Sequence, residues 1–347
     1  MKIDKSKIKK ILCIKPRGIG DILLSTIIID NLLAAFPDVK IDYLTEAFAK
    51  PALEDNPNIN KILTMGKKEF PLWVALKIRK ENYDLLIDLW CNPRTAQITF
   101  LSGVKYRVGF SYRGRRYAYN IRAVSDRGAY HSAEHNLELI KALDIPIISK
   151  KVQYYVSPEY KQFARAFFKE EYKDTDFVVG IIPSGGWESK RCDASKWVEI
   201  CKAVNKKYNA KFLILWGPGD KTDADYIIKN LDGYAKISPE TDLKQMSALI
   251  NECSLIIAND SGPMHISAAL GKPTLGIFGP TNPIAHSPYS PVSDYVNKED
   301  LFCIICNKLV CPYKHECMLD LPIDLILIKI DNIIKKANNI NESDLKR

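Results

Sequence analysis

The chain has 347 residues, 46% of them hydrophobic and 26% charged, with a formal net charge of +9. That length exceeds one ordinary core and suits two domains, and the composition excludes a disordered or fibrous chain. No apolar run is long enough to span a bilayer, and the basic N-terminus leads into a run broken by Lys15, Arg17 and Asp21, which does not read as a signal peptide.

The expected location is therefore cytoplasmic. The positive charge favours anionic partners: nucleotides, phosphorylated sugars, anionic lipid headgroups or nucleic acid.

Short β-rich runs alternate with helical periods. In the first half the predicted strands are 11–16, 40–45, 61–65 and 84–90, with helices over 21–36, 70–82 and 131–145. Pro37 and Pro146 mark helix ends. A charged stretch from Glu159 to Asp176 follows, and the pattern restarts. Strands are predicted at 177–183, 211–217, 255–260 and 274–279, with helices at 195–207, 221–231, 242–253 and 262–271, and a basic helix over the last 25 or so residues. Two successive βα series predict an α/β protein of two doubly wound, Rossmann-like domains with parallel sheets. Ligands in such sheets bind beyond the C-terminal strand ends, so two sheets facing a cleft would set the active site between them.

Four strand exits carry residues suited to chemistry, two of them to anions and two through a carboxylate. In Ile256–Pro283 a strand hands over to a helix through Asp260, Ser261 and Gly262, with Pro263 and His265 in the first turn. The free N–H groups and dipole of such a helix start attract a phosphate, and capping alone also accounts for Asp260 and Ser261. In Ile181–Arg191, Ser184, Gly185 and Gly186 offer clustered N–H donors and Lys190 and Arg191 follow; a plain glycine turn is the alternative. No Walker spacing and no dinucleotide fingerprint is present. In Cys13–Ser25, Asp21 stands at the mouth of the first strand, where a carboxylate caps a helix or accepts a proton. In Ile214–Asp225, Asp220 suits ribose hydroxyls or an N-cap.

These stretches, in this order, resemble glycosyltransferase family 9, the heptosyltransferase family. The resemblance is carried by RGIGDILLS, SKRCDASKW and above all NDSGPMHISAALGKPTLGIFGPTNP, with RVGFSYRGRRYAYN and HSAEHNLELIKALDI adding to it. It implies a GT-B fold. An acceptor domain would span 1–170, a nucleotide-sugar domain 171–318, and a final helix, 319–347, would pack back on the first domain.

The resemblance further implies inverting, metal-independent transfer of a sugar, usually heptose from ADP-heptose, to a lipid-linked lipopolysaccharide inner-core acceptor. Transfer would take place at the cytoplasmic face of the bacterial inner membrane, by a protein held peripherally at an anionic membrane surface.

Asp21 matches the family's proposed general base. Ser184, Gly185, Gly186 and Lys190 fall in its phosphate-binding turn, and Asp220 at or beside its ribose-contacting acid. Thr241 heads the segment that passes the adenine, and Asp260, Ser261, Gly262 and His265 match the pyrophosphate turn. The sequence departs from the pattern where Cys192-Asp193 replace the common Trp-Pro.

Arg107, Arg113, Arg115 and Arg116, interleaved with tyrosines, are candidates for an anionic acceptor. No recognised nucleic-acid module accompanies them, so nucleic acid is not an expected partner. Near the C-terminus Cys303, Cys306, Cys311, His315 and Cys317 are soft ligands at compact spacing, open to a structural zinc, to reduced thiols or to a disulfide. No cofactor is expected for catalysis. Competing classes are a GT-B-fold sugar-nucleotide epimerase or hydrolase, and a non-catalytic nucleotide-sugar binder.

Overall fold

The computed structural model describes residues 3–125, 130–231 and 233–344. The chain forms two compact units, Met1–Tyr155 and Val156–Arg347.

In the first unit the elements are β1 (Lys10–Ile14), α1 (Ile19–Ser25), α2 (Ile29–Ala35), β2 (Lys40–Glu46), β3 (Lys61–Met65), α3 (Pro71–Arg79), β4 (Leu85–Asp88), α4 (Pro93–Leu101), β5 (Tyr106–Phe110), β6 (Ile121–Ala123) and α5 (Ser132–Lys141). The six strands form one parallel sheet in the order β3-β2-β1-β4-β5-β6. The central strands β1 and β4 are buried almost throughout, which explains their unbroken apolar runs; helices cover both faces of such a sheet. The outermost β3 is mostly open to solvent, with Met65 buried at its end.

The second unit contains α6 (Pro158–Glu171), β7 (Val178–Ile182), α7 (Ala194–Tyr208), β8 (Lys211–Ile214), α8 (Lys221–Lys229), β9 (Ala235–Ile237), α9 (Leu243–Glu252), β10 (Leu255–Asn259), α10 (Gly262–Ala269), β11 (Thr274–Phe278), α11 (Pro283–His286), β12 (Ser293–Asn297), α12 (Glu316–Leu319) and α13 (Ile323–Asp344). Its sheet runs β12-β11-β10-β7-β8-β9, again all parallel. Counted from each unit's first strand, both sheets have the same order, 3-2-1-4-5-6. The strand order reverses between β1 and β4 in one unit and between β7 and β10 in the other, the position where such sheets bind ligands.

Two expectations about domain limits change. The division falls after Tyr155 rather than near 170. Most of the charged stretch before the second series is α6, begun by Pro158 at its first turn, and it packs on α9 of the second unit. The final helix, expected on the first domain, is seated instead on α7 and β12. Its Ile326, Ile330 and Ile333 are fully buried in the second unit's core, beside Trp197, Val204 and Val296. Spacing of four and three residues places these isoleucines on one helix face, which is why that face is buried. Outside it, Tyr208 donates to Asp331 at 2.8 Å and Lys329 pairs with Asp294 at 3.2 Å.

Candidate active site

In the first unit the chain leaves β1 through Lys15 and Pro16 and turns at Gly18, whose φ is +85°. A Cβ there would lie 2.5 Å from Asp21 Oδ2, so this turn requires glycine twice over, for its backbone angle and for its closeness to the carboxylate. Asp21 stands in the first turn of α1 with its side chain about half exposed. Lys15 is 7% exposed; its Nζ lies 3.9 Å from Asp21 Oδ1, donates to Leu89 O at 3.2 Å and sits 5.0 Å from the centre of the Trp90 ring. A nearly buried cation thus flanks a carboxylate that is accessible from solvent. Beside it, at the end of β4, Asp88 is fully buried. Burial pushes its carboxyl above the ordinary value, against hydrogen bonds from the Cys91 backbone, Tyr119 Oη and the Trp90 backbone. Asp88 therefore holds the turn together and does not face substrate.

The four candidate acceptor arginines separate. Arg107 is half-buried, with Nε donating to Ala118 O at 2.9 Å and Nη1 to Val104 O at 2.6 Å. Two of its five N–H donors are thus spent on carbonyls on either side of β5, which fixes the guanidinium in place and leaves the other three. Arg115 donates to Cys91 O at 3.0 Å and lies over the Tyr112 ring. Arg113 and Arg116 are exposed and remain candidates for an anionic ligand.

In the second unit, the exits of β7 and β10 are adjacent, since Ile182 pairs with Ala258. Asn259 joins them: its Nδ2 donates to Pro183 O at 2.7 Å, and its Oδ1 accepts from Cys192 N at 3.4 Å. After β7, Ser184, Gly185 and Gly186 lead to the 3₁₀ turn Glu188–Lys190. A Cβ on Gly185 would lie 2.9 Å from Arg191 Cγ, and Arg191 Nε donates to Gly185 O at 3.0 Å. At the Cys192-Asp193 departure, Asp193 caps α7 by accepting from Ser195 N at 2.8 Å, and Cys192 is buried.

Lys190 Nζ lies 2.7 Å from Asp260 Oδ2 and 4.4 Å from the centre of the Trp187 ring. Thr281 Oγ1 also donates to Asp260 Oδ2, at 2.7 Å. Burial pushes the Asp260 carboxyl upward, but the Lys190 charge and hydrogen bond, His265 and Thr281 outweigh it and hold the group below its ordinary value. An ammonium has three protons, so Lys190 keeps donors beyond the one used on Asp260. Asp220 occupies the N-cap position of α8 without capping it; its Oδ1 instead lies 3.1 Å from Arg191 Nη2.

Ser261 is the N-cap residue of α10, yet its hydroxyl makes no capping bond. Ser261 Oγ is buried without a hydrogen-bond partner, and so is Thr241 Oγ1. Leaving a buried hydroxyl unmade costs about 1–3 kcal/mol, so at these two positions a ligand's hydrogen bond would be favourable. Gly262 opens α10 and His265 is buried in its first turn. The predicted residues of this unit other than Thr241 thus gather at the β7 and β10 exits, with Asp220 joined to them through Arg191; Thr241 stands between β9 and α9, beyond the edge strand of the sheet. Sequence reasoning passed over Arg191 as a specific partner, and also Lys15, Thr281 and Asn259. The last three stand at or just after strand ends, the one signal that would have found them.

All nine cysteines are free thiols, and Cys13, Cys91, Cys192, Cys201 and Cys253 pack as buried small residues, as expected. Cys303, Cys306, Cys311 and Cys317 are half-buried. Burial first, then the neighbouring cysteines, push the Cys317 thiol up to about 12. His315 Nε2 is engaged with Ser189 O at 2.8 Å, and among the described residues no three ligating side chains converge as a metal site.

The profile of glycosyltransferase family 9 (heptosyltransferase) matches residues 73–316. The chain belongs to glycosyltransferase family 9. It is a glycosyltransferase, and its two parallel sheets are those of the GT-B class. It is 25% identical to lipooligosaccharide heptosyltransferase 2 of Haemophilus influenzae over 94% of this chain and 99% of that protein. The crystal structure of a family 9 glycosyltransferase from Veillonella parvula superposes with a TM-score of 0.83 at 21% identity, covering 96% of this chain and 99% of that one. The Escherichia coli ADP-heptose lipopolysaccharide heptosyltransferase II does so with a TM-score of 0.77 at 23% identity, covering 95% and 99%.

Proposed function

We propose that this family 9 enzyme transfers a heptosyl group from ADP-heptose to a lipid-linked lipopolysaccharide inner-core acceptor, with inversion and without a catalytic metal. Asp21 takes the proton of the acceptor hydroxyl as that oxygen attacks the anomeric carbon. The bond from that carbon to the diphosphate oxygen breaks, and the diphosphate leaves with the electron pair. Its growing charge is met by Lys190, by the N–H groups of Ser184, Gly185 and Gly186, and by the start of α10 at Ser261, Gly262 and His265. In this reading Asp220 would meet the ribose, and Thr241 would head the segment that passes the base. Arg113 and Arg116 would meet acidic groups of the acceptor.

The observation that supports this reading best is the pair of buried hydroxyls, Ser261 Oγ and Thr241 Oγ1. Both are without partners at positions that the family's motifs assign to the donor. The donor and acceptor classes are those named for the relatives. Among the described residues no helix is long and apolar enough to cross a membrane, and we place the enzyme peripherally at the inner face of the inner membrane.

The test is turnover of ADP-, GDP- and UDP-sugars with and without a Kdo-lipid acceptor, before and after a chelator. The reading expects ADP-heptose to be consumed only when acceptor is present, and equally after chelation. Consumption without acceptor would favour a hydrolase or epimerase instead.

A further inference from the structure

One surface of the first unit takes no part in the site described above. On α3, Val74, Ala75 and Ile78 are buried, while Phe70, just before the helix, is 62% exposed and Trp73 is 60% exposed. Lys77 and Lys80 continue the same outward stripe, because steps of three and four residues return to one helix face. The turn before the helix adds Lys67 and Lys68, and its end adds Arg79, all exposed. Over 67–80 the one carboxylate is Glu69, and it is engaged by Lys77 and the Gly66 N–H. Trp73, Leu76, Lys77, Arg79 and Lys80 border an open recess of about 530 Å³. Arg94 of α4 holds the loop in place through the carbonyls of Gly66, Lys67 and Glu69, so the cations stand on a fixed support.

We infer that the outer stripe of α3 is a membrane-docking face, which lays Phe70 and Trp73 into the interfacial layer of an anionic phospholipid bilayer. The inference rests on the proposed lipid-linked acceptor and adds the surface that would bring the enzyme to it. The chemistry separates a bilayer from a protein partner. Protein interfaces are depleted in lysine, whereas exposed aromatic rings ringed by lysines match the headgroup boundary. Rings enter the acyl boundary, and the long lysine stems reach back to the phosphates. Each lysine held near an anionic surface strengthens binding by roughly fivefold at physiological salt.

The experiment is flotation of the full chain with phosphatidylglycerol–phosphatidylethanolamine vesicles and with phosphatidylcholine vesicles. The unmodified protein floats with the anionic vesicles and is released by high salt. Lys67→Gln with Lys68→Gln weakens vesicle affinity by about thirtyfold, and Phe70→Ser with Trp73→Ser weakens it at any salt concentration. Thermal unfolding and donor-nucleotide affinity stay unchanged in both variants, since none of the four side chains is buried. Equal flotation of protein and variants overturns the inference, as does light scattering in which the same substitutions convert a dimer to a monomer. Transfer to a deacylated acceptor separates the two readings. Transfer without vesicle binding removes the docking face alone, and stripe-dependent vesicle binding without transfer to any acceptor supports the face while removing the proposed activity.

Discussion

At the scale of single residues, Asp21 and Ser261 make the sharpest claims. Replacing Asp21 with Ala removes the proposed base, and turnover falls by about a hundredfold or more while donor affinity persists. Near-normal turnover in that variant would remove Asp21 from the mechanism. Ser261→Ala separates capping from ligand binding. A capping serine would cost about 1 kcal/mol on removal. Ser261 makes no capping bond and its buried hydroxyl has no partner, so the alanine variant unfolds at the same temperature or higher. Its turnover falls by about a hundredfold if the hydroxyl meets the leaving diphosphate. A lowered melting temperature with normal kinetics would return Ser261 to a structural role. The two residues were legible in the sequence as positions at strand exits. Their chemical state was not, because spacing does not say whether a hydroxyl turns toward its own helix or away from it. Arg107 shows the same limit, since its position in β5 does not reveal that two of its donors are spent on the carbonyls of Val104 and Ala118.

At the scale of elements, the turn Glu188–Lys190 and the end of β10 are fastened by one ion pair, Lys190 with Asp260. Removing Lys190 leaves a buried carboxylate uncompensated, at a cost of about 3–5 kcal/mol, so Lys190→Ala lowers the melting temperature as well as donor affinity. Lys190→Met combined with Asp260→Asn recovers much of the stability and none of the donor affinity. Recovery of both would mean that Lys190 serves the fold alone. The pair also sets an acid dependence. The Asp260 carboxyl is held below its ordinary value of 3.8 in the folded protein. Its stabilisation is therefore complete above the unfolded value and is lost as pH falls from 3.8 through the lower folded value. Stability measured against pH in that range should be steeper in the unmodified protein than in Asp260→Asn; identical slopes would contradict the pairing. Elements with long apolar or periodic runs were readable in advance, among them β1, β7, β10, α7 and α9. The strands β6, β9 and β12 were not, because β6 and β9 have only three residues each and β12, Ser293–Asn297, is too polar to show an apolar run. In α6 charge masked an amphipathic helix, and in it only Ala164 is fully buried.

At the scale of the whole molecule, the doubled α/β architecture was written in the alternation of runs, but its limits were not. Where α13 packs depends on which apolar face is open to receive it, and that is a tertiary fact. Ile330→Ala should cost about 2–5 kcal/mol by opening a cavity between α13 and the second sheet. The loss should appear in thermal unfolding and in weaker donor binding; an unchanged melting temperature would place α13 outside the core. The shared strand order also divides the chemistry, since the same reversal of strand order hosts an acid in one unit and a basic, hydroxyl-bearing pair of turns in the other. Asn259 gives that second arrangement a further property. Because one amide spans both turns, they cannot drift apart independently, and a nucleotide bound there as proposed would meet a receptor whose shape was settled when the chain folded. Little disorder remains for the incoming diphosphate to quench, so recognition there should resemble insertion into a mould more than closure of a hand.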